Sequence, residues 1–323
     1  MNMPQTITND LDYFFSAADE SAVRLTSEYK SDFLSRSTIC NISLFTNLIE
    51  SAQDIEFNTL LNHLTHSIFF KRKIQDNSVI WKCFIDQGEL HAFLQNIVQY
   101  TSFDYLIWPK NYQSSPKLIV FDMDSTFIQI EVIDELAKAH NVGDKVSQVT
   151  EAAMRGELDF SESLITRVAC LQGLSSRSID HIANSLPLSF GVNRLVDWAH
   201  QQGIKIAIVS GGFTPFVEKL SLQMNLHKVK ANHLQIIDEH LTGKVLGDIV
   251  DAQAKADFVN ELKKELNLKK NEIMSIGDGA NDLLMMKETG FSLAYRAKPA
   301  VDKEAGGRMK STHLDKLISV FSG

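Results

Sequence analysis

Asp122 and Asp124 stand two residues apart at the end of an apolar run, Leu118-Ile119-Val120-Phe121, and two hydroxyl residues, Ser125 and Thr126, follow. Side chains two apart on extended backbone point the same way. Both carboxylates can therefore face one reacting group. Carboxylates that close repel unless a cation or a shared proton offsets them. The pair suits a carboxylate nucleophile, a general acid/base and a divalent metal.

Two more polar clusters have the same setting. Ser210-Gly211-Gly212 follows the run Lys205–Val209, and Gly277-Asp278-Gly279-Ala280-Asn281-Asp282 follows Glu272–Ile276. Lys255 lies early in the helical stretch before the second of these. If the three runs are parallel strands, their carboxyl ends share one edge of a sheet, where ligands bind. Each part then has a job in phosphoryl transfer. Asp122 is ionised at neutral pH, since a free aspartate titrates near ~3.9. It can attack phosphorus and form an acyl phosphate that water hydrolyses. Asp124 can protonate the departing oxygen and later deprotonate the water. Lys255, the Ser210 hydroxyl and the N–H groups of Gly211–Gly212 and Met123–Ser125 can hold the transferring oxygens. Asp278 is placed to complete, with Asp122, an all-oxygen site that suits Mg²⁺ rather than zinc. Asp282 reads as a residue that orients the site rather than a direct ligand.

The elements that must carry these residues follow from periodicity. Leu118–Phe121, Lys205–Val209 and Glu272–Ile276 read as buried strands. Helices are expected at Glu131–His140, Phe160–Leu171, Val192–Gln202, Ala252–Leu266 and Asn281–Glu288. Gly203 ends the third as a C′ glycine would. Thr214-Pro215 reads as an N-cap followed by an N1 proline. Asp248 and Asp251 are candidate caps for the helix of Lys255. Strands alternating with helices predict an α/β fold with a parallel, doubly wound sheet. The helical stretch between the first two core strands predicts a cap over the sheet's carboxyl edge. The expected division is a core at 117–130 and 187–323 with a cap at 131–186.

Residues 1–110 differ. They are rich in Ser, Thr, Asn and Gln and carry no paired catalytic signature. Asn9–Ser51 reads as mainly helical or irregular, Val79–Ile85 and Phe103–Trp108 as strands, and Glu89–Tyr100 as a helix. That is a small α+β module, with Trp81 and Trp108 packing it and 109–117 as linker.

The chain of 323 residues has room for two domains, and its 44% hydrophobic and 22% charged content is ordinary for a globular protein. The net charge of −8 argues against nucleic acid or an anionic membrane as the main partner. Cys40, Cys83 and Cys170 are far apart with no CxxC pair, as expected of reduced thiols. No secretory leader or membrane span is expected. The reading is a soluble cytoplasmic protein.

The segments DMDST, VSGGF, DAQAK and GDGANDLLM match, in order, the four motifs of the haloacid dehalogenase-like phosphatases. From Leu118 to about Lys298 the chain resembles, more narrowly, the phosphoserine phosphatase family. DMDSTFIQIEVIDELAKAH, MRGELDFSESLITRVACLQGL and GDIVDAQAK carry that likeness. The resemblance implies a Mg²⁺-dependent phosphoaspartyl enzyme with a Rossmann-like core and a helical cap. It implies Asp122 as nucleophile and Asp124 as acid/base. Asp278 and the backbone carbonyl of Asp124 join Asp122 as metal ligands. Ser210, Gly211, Lys255 and Asn281 become substrate or phosphate contacts.

Phosphoserine adds an ammonium and a carboxylate to its phosphate. Glu131, nine residues beyond Asp122, can receive the first, and Arg167 can hold the second by a bidentate fork. Met154 and Phe160 are candidate pocket walls. The expected reaction is hydrolysis of O-phospho-L-serine to L-serine. The same aspartyl chemistry would serve transfer to an alcohol such as homoserine, or hydrolysis of another small phosphorylated metabolite. The N-terminal module has three roles open to it: pairing two copies into a homodimer, sensing an amino acid, or stabilising the core.

Overall fold

The computed structural model describes residues 39–46, 67–73, 79–86, 90, 92–93, 95, 104–109, 114–310 and 312–322. It divides into two compact units. One is Met1–Ser114 with Met309–Thr312 and Lys316–Gly323, and the other is Ser115–Arg308 with His313–Asp315.

Among the described residues the first unit carries the strands β1 (Ile39–Thr46), β2 (Ser67–Lys73), β3 (Val79–Asp86) and β4 (Asp104–Ile107). They pair antiparallel in the order β2-β3-β1-β4. Ile42, Leu44, Phe45, Phe93, Tyr105 and Leu106 are buried in its core. The indole N–H of Trp108 donates to Ser43 Oγ at 2.8 Å. Its ring meets Phe321 of the terminal helix Lys316–Phe321 edge-on, at 5.6 Å between centroids. Buried Asp104 accepts from the N–H groups of Lys310 and Thr312 and from Thr312 Oγ1, at 2.6–2.7 Å. Those bonds tie the chain's C-terminal segment to β4.

The helical or irregular reading of Asn9–Ser51 is corrected at Ile39–Thr46, which is a strand paired on both sides. Strand preference is decided by neighbours across the sheet, not by the polar composition around it. The rest of that stretch, most of Glu89–Tyr100 and the Trp81 side chain lie outside the described residues.

The second unit is a sheet of β5 (Leu118–Phe121), β6 (Lys205–Phe213), β7 (Lys228–Ile237), β8 (His240–Leu246), β9 (Ile273–Gly277) and β10 (Phe291–Tyr295). Their order is β10-β9-β5-β6-β7-β8, parallel except for β8, which returns antiparallel to β7. The central β5 is buried along its whole length. Helices cover both faces of such a strand, so it is apolar throughout rather than alternating. Leu118, Val120, Ala207 and Val209 pack against Phe258, Val259 and Leu262 of the helix Ala252–Glu265. Truncating Phe258 there would cost about 3–5 kcal/mol.

Between β5 and β6 the chain inserts α1 (Val132–Ala139), α2 (Gly143–Met154), α3 (Phe160–Ala169) and α4 (Ser176–Asn184). These form the cap. Asp159 and Glu162 make a reciprocal capping box that starts α3. The chain enters and leaves the cap side by side, with Gln129 N–H on Pro187 O and Ser189 N–H on Phe127 O. A second attachment lies at the far end. Gly173 N–H donates to Leu241 O, Leu241 N–H to Leu174 O, and Ser176 N–H to Glu239 O, each at 2.8 Å. The loop after α3 is thus hydrogen-bonded along the outer edge of β8. Next come α5 (Val192–Gln201), ended by Gly203 at φ 71°, α6 (Thr214–Met224) and α7 (Ala252–Glu265).

Several details differ from expectation. β6 runs on to Phe213, with a register shift after Val209, so Ser210-Gly211-Gly212 is irregular strand rather than loop. Thr214 is the first helical residue, and its hydroxyl donates to Asn232 O instead of capping α6. Asp251 caps α7 by accepting from Ala254 N–H, while Asp248 is exposed. β7, β8 and β10 were not anticipated. Among the described residues no helix is long and apolar enough to cross a membrane.

Candidate active site

Each polar cluster leaves the sheet on the same edge. Asp122 is the first residue past β5, and its N–H continues the pairing to β9 through Ile276 O. The chain then turns sharply through Met123–Phe127, with Ser125 at φ 56°. Asp251 starts α7 so that Lys255 falls in its first turn, fully buried. The Lys255 ammonium donates to Asp122 Oδ1 and Asp282 Oδ1, both at 2.7 Å. Asp282 Oδ2 in turn accepts the N–H groups of Asp278 and Gly279 at 3.1 Å. Its carboxylate lies where a Cβ on residue 277 would stand, which is why that position is glycine. Asp282 therefore spends both oxygens shaping the loop. Asn281, half-buried, sits in the same turn, Ala280–Asp282.

The charges in this group do not balance. Asp122, Asp278 and Asp282 bring carboxylate oxygens within 4.8 Å of one another, against the buried ammonium of Lys255 and the nearby charge of Lys298. Burial and the charge of Asp282 push Asp122 above the usual carboxylate range, and Lys255 pulls it back. Burial, then Asp282 and Glu131, raise Asp278 to about 6. Burial alone would lower Lys255, yet the two aspartates hold it above its ordinary value. A hard divalent cation fits this all-oxygen, anion-rich group. Asp122 and Asp278, each with a carboxylate oxygen not engaged in these bonds, are the side chains that could hold it.

Asp124 faces the cap. Its Oδ1 accepts the N–H of Val132, the first residue of α1, at 2.8 Å. Its Oδ2 accepts the Ser210 hydroxyl at 3.2 Å, and Ser210 Oγ accepts Gly212 N–H at 2.8 Å. Burial first, and the charge of Glu131 second, raise Asp124 to about 7. Glu131 is exposed and takes a hydrogen bond from Ser125 Oγ at 2.7 Å. Arg167, half-buried on α3, feels Glu131, Asp134 and Asp124 as its charged neighbours. Burial lowers its pKa, and those acids oppose the shift. Phe160 opens α3 and meets the core, since a Cβ on Gly211 would stand 2.8 Å from its ring. Met154, 81% exposed, is not packed against the site.

All the residues singled out from the sequence fall within this unit, and Asp122, Asp124, Ser210, Lys255 and Asp278 converge at its edge. One residue was overlooked. Asn232 on β7 is 1% exposed and donates to Gly211 O at 2.8 Å and Gly212 O at 3.2 Å, while its Oδ1 accepts Val250 N–H at 2.8 Å. No signal in the sequence marked it, since Val229–Leu234 mixes polar and apolar residues.

Comparison with known proteins bears on this geometry. The haloacid dehalogenase-like hydrolase family profile matches residues 116–290. A phosphoserine phosphatase of Idiomarina loihiensis is 46% identical over 204 residues, covering 63% of this chain and 93% of that protein. The unliganded structure of a probable phosphoserine phosphatase from Vibrio cholerae is 35% identical. It covers 87% of this chain and 86% of its own, with a TM-score of 0.72. A phosphoserine phosphatase solved as a phospho-aspartyl intermediate analogue is 31% identical over 64% of this chain and 99% of that one, with a TM-score of 0.59. The chain belongs to the haloacid dehalogenase-like hydrolases, in their phosphoserine phosphatase branch.

Proposed function

We propose that the protein hydrolyses O-phospho-L-serine to L-serine and phosphate through a phosphoaspartyl enzyme, with Mg²⁺ as the divalent cation. Asp122 is the nucleophile. Lys255 holds its Oδ1 and leaves Oδ2 to attack phosphorus. The serine alkoxide departs, and Asp124 gives it a proton. Asp124 then takes a proton from the water that hydrolyses the acyl phosphate. A group titrating near 7 has both forms available at neutral pH, as an acid that later serves as base requires. Mg²⁺ held by Asp122, Asp278 and the Asp124 carbonyl would supply charge neutralisation at the transferring oxygens. Ser210, the Gly211 backbone, Lys255 and Asn281 receive the phosphate. Glu131 and Arg167 receive the ammonium and the carboxylate.

The observation that carries this reading is that one anion, Glu131, and one cation, Arg167, both lie near enough to Asp124 for their charges to act on each other. A phosphate ester without an amino-acid end has no use for both. The relatives named as phosphoserine phosphatases support it independently. The deciding assay incubates the enzyme with O-phospho-L-serine and Mg²⁺, with and without homoserine. Free phosphate released at the same rate in both establishes the hydrolase. Release that depends on the alcohol makes the enzyme a transferase instead.

A further inference from the structure

We propose that Asn232 is a positioning residue for phosphoryl transfer, acting on the acid/base Asp124 through Ser210. The proposal rests on the functional reading above and deepens it.

Gly211 and Gly212 have to be glycines. A Cβ on the first would strike the Phe160 ring, and one on the second would stand 2.6 Å from Asp124 Oδ2. Two successive glycines have no side chains to limit φ and ψ, so something else must fix their peptide planes. Asn232 does so from the opposite side. Its planar amide donates both hydrogens, one to each glycine carbonyl, and is itself held by Val250 N–H. The amide is spent entirely on backbone.

The direction of each bond matters. In a trans peptide the C=O and the N–H point opposite ways. Drawing Gly211 O toward Asn232 therefore turns the N–H of Gly212 the other way, toward Ser210 Oγ, where the 2.8 Å bond is found. Ser210 Oγ, having accepted that hydrogen, directs its own at Asp124 Oδ2. The path is continuous: Val250 N–H to Asn232, Asn232 to Gly211 O, Gly212 N–H to Ser210, Ser210 to Asp124. Hydrogen bonds linked this way strengthen one another. The far end of the path sits on β7, outside the motifs that carry the chemistry, and the Asn232 amide bonds to backbone groups.

The test compares Asn232→Asp, Asn232→Ala and Ser210→Ala, singly and with Asn232→Ala combined with Ser210→Ala, measured well below each variant's melting temperature. Aspartate keeps the size of the side chain and the acceptor for Val250 N–H but cannot donate to the carbonyls. Losing a buried donor pair predicts a fall in kcat of roughly 10- to 100-fold for both Asn232 variants. KM for phosphoserine should stay within about threefold, because the amino-acid end is read by the cap. Adding Asn232→Ala to Ser210→Ala should cost less than about threefold more, since the two act along one path. Full kcat in Asn232→Asp, or losses that multiply in the double variant, would overturn the proposal. Failure of the functional reading shows itself separately, as phosphoserine turnover surviving Asp122→Asn.

Discussion

The two sides of the site are built differently. On the core side Asp122, Lys255 and Asp282 are buried and locked. Lys255 is wholly covered and bridges two aspartates at 2.7 Å, and Asp282 has both oxygens occupied. On the cap side Glu131 is exposed and Arg167 half-buried, the latter donating to Ser163 O one turn earlier on its own helix at 3.3 Å. The core side must hold charge still while a phosphoryl group moves, which rewards groups that need no reorganisation. The cap side has to admit a substrate and release a product, and long side chains left partly in water suit that task. On the proposed reading, chemistry would fall to the more rigid half and selection to the looser one.

That contrast is open to attack at several points. Asp122→Asn should lower turnover by at least ~10,000-fold and leave no trappable phosphoenzyme, with circular dichroism unchanged. Substantial residual turnover would move the nucleophile elsewhere. Removing divalent cations with a chelator should abolish activity and lower the melting temperature, because the core carboxylates then repel with only Lys255 and the nearby Lys298 to offset them. Mg²⁺ should restore both, and a melting temperature indifferent to chelation would mean the aspartates are satisfied without metal. Arg167→Ala should cost about 1.5–3 kcal/mol in kcat/KM for phosphoserine, and far less for a phosphate ester lacking a carboxylate. Equal losses on both esters would remove Arg167 from recognition. Gly211→Ala should weaken activity about tenfold by pushing Phe160 away, and Phe160→Leu in the same chain should recover part of it. The smallest effect is expected at Asp251→Ala, about 1 kcal/mol of stability from the lost cap on α7, with kcat little changed.

Much of the core side was legible in the sequence because its signals are short and local. An apolar run ending in DMDS, a run ending in SGG and a run ending in GDGAND each announce a strand and the residues past its end. Register and order in the sheet then bring them together without further information. The roles proposed for Glu131 and Arg167 rest on family resemblance, since a lone acid at a helix start and a lone arginine on a helix have ordinary explanations. Asn232 was not legible at all. Its partners are backbone atoms about 20 residues away along the chain, and nothing in the sequence records a carbonyl's direction. The strands β7 and β8 escaped for a related reason. Their residues are mixed in polarity because β8 forms a border of the sheet and β7 packs only partly.

The loop after α3, bonded to Glu239 and Leu241 and followed by close packing of Ala169 against Gly243, has a consequence beyond the lid itself. A sheet's outermost strand is a template for unwanted partners when its amides and carbonyls stand bare. Here the lid is also the selvedge that keeps the fabric from fraying. Trimming α1–α4 to a short linker, a tempting route to a minimal catalyst, would leave β8 uncovered and should yield material that clumps at concentrations where the whole chain stays dispersed.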